Sequence, residues 1–206
     1  MLTFAREHRS HPRIDYLYLD LLADEDVARF VREQGNFQRV HSFLALQWVG
    51  DQRHAMRNIE ALLAPGGECF LVFTTNLIVQ DVFEAMLDSP RWAKYADILK
   101  RVIPETRVLK DTGSLRSHLA DLVRATNLTP LACEVVHTVA KMGLDKERAL
   151  DFFTFLNPVY ELVNDAEKAE LRQFTQDVIG DFKKRKSGDS IDERDFLVIH
   201  ACKPTK

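Results

Sequence analysis

Near the start of the chain, two apolar runs of strand character flank a segment with helical spacing. Leu2 to His8 reads as the tail of a helix that Pro12 breaks. Ile14 to Leu19 predicts a strand ending at Asp20. Asp24 to Glu33 spaces Val27, Phe30 and Val31 helically, and Gly35 supplies a stop. Phe37 to Leu46 predicts a second strand, apolar in its C-terminal half, as suits a strand covered on both faces. Asp51 can cap a helix whose inner face carries Ala55, Ile59 and Leu62, with Met56 and Leu63 beside it. Pro65-Gly66-Gly67 is expected to end that helix and turn the chain. Cys69 to Phe73 is a continuous apolar run, as in a central parallel strand. Strand–helix–strand–helix–strand over 14–73 is the βαβ pattern of an α/β, doubly wound sheet.

The texture then changes. Residues 77–127 read as mainly helical, with Val82, Phe83, Met86, Trp92 and Tyr95 at apolar positions. Leu131 to Val139 predicts a strand, and Asp145 to Phe155 and Asn164 to Phe182 predict helices. In the last of these Leu171, Phe174, Val178 and Phe182 share a face, and Asn164 with Glu167 resembles a capping box. Ser187-Gly188-Asp189 is a turn, and Phe196 to Cys202 is a final strand. No internal repeat is present. The expected organisation is one domain over 1–206, in which 77–127 and 144–185 form a mainly helical substrate cap.

Composition narrows the function classes. A net charge of −3, from 28 Lys+Arg against 31 Asp+Glu, is too balanced for a general nucleic-acid binder. The basic run Lys183-Lys184-Arg185-Lys186 ends a predicted helix, where cations favour the dipole. Cys69, Cys133 and Cys202 lie far apart in apolar stretches and form no CxxC pair. They are therefore read as buried thiols in a reducing, cytoplasmic compartment, not as zinc ligands. No apolar run approaches the about 20 residues of a membrane span.

Candidate chemistry clusters where strands are expected to end, which is where open α/β sheets bind ligands. Asp20 follows one predicted strand, and its carboxylate can accept a hydrogen bond from an adenine amino group, or simply cap a loop. Ser42 and Phe43 run to the end of the next strand, and Gln47 and Trp48 follow. Trp48 suits a ligand wall or the core equally. The seven histidines show no metal-ligand spacing, so no metal is expected. The chain has no G-x-S-x-G elbow, no P-loop and no G-x-G-x-x-G turn.

Together these residues resemble the class I S-adenosylmethionine-dependent methyltransferases, and above all the arthropod juvenile hormone acid methyltransferase family. The likeness runs through Met1-Leu2-Thr3-Phe4-Ala5-Arg6-Glu7-His8, His11-Pro12, Leu19-Asp20-Leu21, Phe37 through Gln52, Asn58-Ile59, Leu62 to Gly67 and Ser89-Pro90-Arg91-Trp92. The stretch from 37 to 67 is its most specific part. Two positions depart from the pattern: Gln47 stands where the family usually has His, and Phe37-Gln38 replaces Phe-Asp.

The resemblance implies S-adenosylmethionine as cofactor, with Asp20, Leu21, Ser42 and Phe43 on its site and Gln47 and Trp48 on the substrate pocket. It also implies that a first strand, glycine-rich turn, helix and second strand would precede Met1, about 30 residues or more. Met1 would then be an internal methionine, and the fold an incomplete sheet lacking its first two strands and glycine-rich turn. The expected reaction is methyl transfer to a small apolar carboxylic acid of farnesoic-acid type, impaired in the chain as it stands. A carboxylate with an ordinary pKa of about 4 is already ionised, so no catalytic base is expected. Two other classes stay open: a non-catalytic partner of an active methyltransferase, and a nicotinamide-dependent oxidoreductase. The oxidoreductase predicts an all-parallel sheet, whereas the methyltransferase predicts an antiparallel final strand.

Overall fold

The computed structural model describes residues 2–75, 77–140, 145–185 and 192–205. The predicted turn at Ser187-Gly188-Asp189 lies outside the described residues, as do Lys186 and the side chains of Phe182, Lys183, Lys184 and Arg185. The helices are α1 (Leu2–His8), α2 (Asp24–Gln34), α3 (Gln52–Leu62), α4 (Ile78–Leu87), α5 (Ala96–Val102), α6 (Thr112–Arg124), α7 (Lys146–Phe155) and α8 (Asp165–Arg185). The strands are β1 (Phe37–Phe43), β2 (Leu63–Thr74), β3 (Thr129–Ala140) and β4 (Asp192–Cys202). They form one mixed sheet in the order β1-β2-β4-β3. β1 and β2 run parallel, and β4 runs antiparallel to both of its neighbours. An antiparallel final strand favours the methyltransferase over the all-parallel oxidoreductase.

Local chemistry explains the helix ends. Asp51 Oδ1 accepts from the His54 amide at 2.8 Å and starts α3. Asp111 and Asp145 cap α6 and α7 in the same way. Asn164 and Glu167 close a reciprocal box at the start of α8, with N···O distances of 3.0 and 3.4 Å. Gly35, with φ +79°, ends α2.

Three sequence expectations are corrected. Ile14 to Leu19 forms no strand; a single bridge joins His11 to Ile14. The segment leaves the free edge of β1 unpaired and folds back on the α1 region instead: Arg6 Nη2 donates to Tyr16 O and the Tyr16 hydroxyl donates to Arg9 O, both at 2.7 Å, while Ile14, Leu17 and Tyr18 stay exposed. The strand expected over Phe37 to Leu46 ends at Phe43, because Leu44 turns into the left-handed region at φ +55° and Leu46–Trp48 winds into a 3-10 turn. It is covered on one face only, with Arg39, His41 and Phe43 exposed. Pro65-Gly66-Gly67 does not precede the next strand but lies inside β2. Pairing there jumps from Phe37↔Leu63 to Arg39↔Glu68, a bulge that absorbs the extra residues.

Two apolar clusters organise the interior. On the sheet side, Leu71 and Phe73 of β2 and Leu197 and Ile199 of β4 pack under Ile59 of α3 and Leu119 of α6. Each such fully buried side chain contributes about 2 kcal/mol by leaving water. On the helical side, α4, α5, α7 and α8 enclose Phe83, Met86, Trp92, Leu99 and Leu171. α6 packs with the sheet, and Trp48 is the residue of the β1–α3 connection that reaches the helical cluster. Burial pushes the Cys69 thiol up to about 11, so it stays protonated inside β2.

Candidate functional site

β1 and β2 point their carboxyl ends the same way, and the chain leaves β1 through a loop that is tied down carbonyl by carbonyl. The Leu44 amide donates to Val72 O at 2.8 Å, which holds the left-handed residue against β2. Gln47 is buried, and its Nε2 donates to Leu44 O at 2.7 Å. Gln52 Nε2 donates to Leu46 O at 2.9 Å. Gln80, from the first turn of α4, donates through Nε2 to Gln47 O, also at 2.9 Å. Three glutamine amides thus bind three loop carbonyls, of which Leu46 O also accepts from the Val49 amide at 3.2 Å. Behind them His118 Nε2 bonds Gln52 Oε1 at 2.8 Å; the Gln52 orientation makes the imidazole the donor. Burial lowers the His118 pKa from 6.5, so the neutral ring is favoured.

All three amide nitrogens are used, but only the Gln52 oxygen is. Gln47 Oε1 and Gln80 Oε1 are buried without a hydrogen-bond partner, which leaves two acceptors at the sheet's carboxyl edge. Trp48 is half-buried against Phe83, with ring centroids 6.5 Å apart.

The loop's far end meets α5. The Gly50 amide donates to Arg101 O at 2.6 Å. A Cβ at Gly50 would lie 2.6 Å from Lys100 O and 3.0 Å from Arg101 O, so only glycine fits this approach. Arg101 also turns its side chain to Asp20, with Nη2 2.8 Å from Oδ2. Asp20 Oδ1 accepts from the Leu22 amide at 2.9 Å and closes a tight turn. Leu21 packs on the sheet core, and Asn58 Nδ2 donates to its carbonyl at 2.9 Å. Next along, Asp24 accepts from His54 at 2.5 Å and from Asn58 at 2.9 Å. The His54 bond, then the Asn58 bond, hold the Asp24 carboxyl below its ordinary 3.8.

Asp20 and the Gln47–Trp48 turn are therefore joined, through α5. Ser42 and Phe43 diverge as strand neighbours must. Ser42 is half-buried, whereas Phe43 is 60% exposed beside His41 and Phe70. Two surface hollows lie elsewhere. One, of about 480 Å³, is lined by the Arg6–Leu17 region, and one, of about 380 Å³, lies between α7 and α8; neither is lined by Asp20, Ser42, Phe43, Gln47 or Trp48. Among the described residues no cluster of His, Cys, Asp or Glu is placed to hold a metal ion, and no helix is long and apolar enough to cross a membrane.

Sequence reasoning reached Asp20, Gln47 and Trp48 but missed Gln52, Gln80, Arg101 and His118. Gln80 carried a signal: it is a polar residue beside Val79, one turn before Phe83, on the apolar side of α4.

No protein-family model matches the chain. It is similar to the juvenile hormone acid O-methyltransferase of Bombyx mori, 29% identical over 103 residues, which are 50% of this chain and 36% of that protein. The same enzyme of Drosophila melanogaster is 33% identical over 70 residues, 34% of this chain and 24% of that protein. The match thus spans about a third or less of the curated relatives' length. Among solved structures, a SAM-dependent methyltransferase from Anabaena variabilis superposes with a TM-score of 0.50 at 11% identity, covering 98% of this chain and 63% of that one. In sequence the chain is similar to the juvenile hormone acid O-methyltransferases, and in fold it is similar to a SAM-dependent methyltransferase, an enzyme class whose cofactor is S-adenosylmethionine.

Proposed function

We propose that this protein serves as an S-adenosylmethionine-dependent O-methyltransferase acting on a small apolar carboxylic acid. The reading rests on the similarity to the two insect enzymes, whose names specify an acid substrate, together with the polar groups gathered at the carboxyl ends of β1 and β2. The residues present fit the cofactor on one side. Its ammonium and adenine amino groups are donors, and the site offers the Asp20 carboxylate and the orphaned oxygens of Gln47 and Gln80. Asp20 and Leu21 would hold the base, Ser42 and Phe43 would flank the site from β1, and Gln47 and Trp48 would line the acid's pocket. When bound, the cofactor supplies a methyl group activated on a sulfonium sulfur. The protein's part is to align an already ionised carboxylate with that group and to exclude water, which needs no general base.

These 206 residues contain no glycine-rich turn to bring the backbone close to the cofactor, so we expect weak binding by this chain alone. Calorimetric titration with S-adenosylmethionine tests that expectation, and low-micromolar affinity would refute it. Transfer of labelled methyl from S-adenosylmethionine to farnesoic acid tests the activity; ester formation supports it, and its absence in any preparation containing the chain overturns it.

A second reading, a non-catalytic partner of an active methyltransferase, draws support from the open edge of β1, where Phe43 and Leu44 are 60% and 52% exposed. Co-purification with such an enzyme supports that reading, and a monodisperse monomer counts against it.

A further inference from the structure

We infer that Arg101 is a positioning residue: from the end of α5 it ties the Asp20 turn to the Gln47–Trp48 loop, and so sets how tightly an adenine nucleoside is held at Asp20. The affinity half of the inference rests on the cofactor reading above; the tie itself does not.

Both loops are anchored at their bases by the same helix. Asn58 of α3 holds Leu21 O, and Gln52 at the start of α3 holds Leu46 O. Their tips are held differently. The carboxylate of Asp20 and the amide of Gly50 both meet Arg101, one through its guanidinium at 2.8 Å and the other through its carbonyl at 2.6 Å. The absence of room for a Cβ at Gly50 shows how closely the loop is drawn onto α5. A single residue of the helical layer thus fixes the distance between two loops of the sheet layer.

Electrostatics assigns the side chain to orientation, not to stability. Arg101 is 60% exposed and Asp20 28%, so water screens the pair and its net contribution to folding is small. What the guanidinium does supply is direction. With Oδ1 committed to the Leu22 amide and Oδ2 to Arg101, the carboxylate plane is fixed, and each oxygen retains a lone pair for a further donor. A nucleoside amino group would meet an acceptor already aimed. Only Nη2 makes the bond, and the rigid guanidinium aims it better than the freely rotating ammonium of lysine.

The division between backbone and side chain makes the test clean. Arg101→Ala removes the grip on Asp20 and leaves the carbonyl that holds Gly50. Amide hydrogen exchange is measured on the unliganded chain, and S-adenosylhomocysteine binding by calorimetry, for wild type, Arg101→Ala and Arg101→Lys. Exchange over 20–24 is expected to rise about tenfold in Arg101→Ala with the rest of the chain unchanged. The melting temperature should stay within about 2 °C. The Kd for S-adenosylhomocysteine should rise about fivefold, with Arg101→Lys in between. Unchanged exchange over 20–24, or a general rise with a falling melting temperature, overturns the tie. Equal Kd values in wild type and Arg101→Ala overturn its effect on affinity. If wild type shows no S-adenosylhomocysteine binding, the cofactor reading fails and the affinity claim with it, while the exchange result still decides the tie.

Discussion

His118 stands at the end of a relay: its ring bonds Gln52, and Gln52 bonds the Leu46 carbonyl at the turn below β1. Burial lowers its pKa, so the folded state binds fewer protons than the unfolded chain below pH 6.5. Its contribution is complete above that value and is lost as the pH falls through it. The melting temperature of wild type should therefore drop between about pH 7 and 5, and His118→Gln, which cannot titrate, should flatten that slope. Equal slopes would show that the ring is not read by folding. Trp48 makes a different residue-scale claim. Its ring spans the sheet loop and the helical cluster, touching Phe83. In a preparation active in methyl transfer, Trp48→Ala should lower kcat/KM at least about tenfold. Wild-type kinetics in that variant would assign Trp48 to packing alone.

At the scale of elements, the loop between β1 and α3 is the least forgiving segment. Gly50→Ala would drive a Cβ into the Lys100 carbonyl at 2.6 Å, so either α5 or the loop must move. A loss of about 1–3 kcal/mol in urea unfolding is expected, and unchanged stability would mean the two elements part easily. Elements set by local rules were legible in the sequence. Asp51 capped its helix, Asn164 and Glu167 formed their box, and Gly35 stopped α2 as the residue types require. The segment 14–19 was misread because its backbone is held back on the α1 region, where Arg6 binds the Tyr16 carbonyl, and does not dock on the free edge of β1. The end of β1 was misplaced because a left-handed leucine leaves no mark in a hydrophobic run. Within the candidate site, Asp20, Gln47 and Trp48 could be found from their place after apolar runs. Gln80 showed only as a polar residue on the apolar side of α4, without its partner, and Arg101 not at all, because they reach Gln47 and Asp20 from 33 and 81 residues away.

At the scale of the molecule, two surfaces govern behaviour in solution. β1 closes one side of the sheet with Phe43 and Leu44 exposed, an edge able to pair with another chain. Phe43→Lys should shift concentrated samples toward monomer by light scattering; an unchanged mass distribution would clear this edge of any part in association. The other surface is internal. β4, the last strand among the described residues, lies between β2 and β3, pairing with β3 from Asp192 to Cys202 and with β2 from Phe196 to Cys202. Leu197, Ile199 and Ala201 are fully buried there. During synthesis, therefore, β2 and β3 leave the ribosome with a gap between them that nothing can fill until residues 192–202 emerge. A nascent chain halted before that point should be cut readily by protease, and the sheet should close only after translation has passed it.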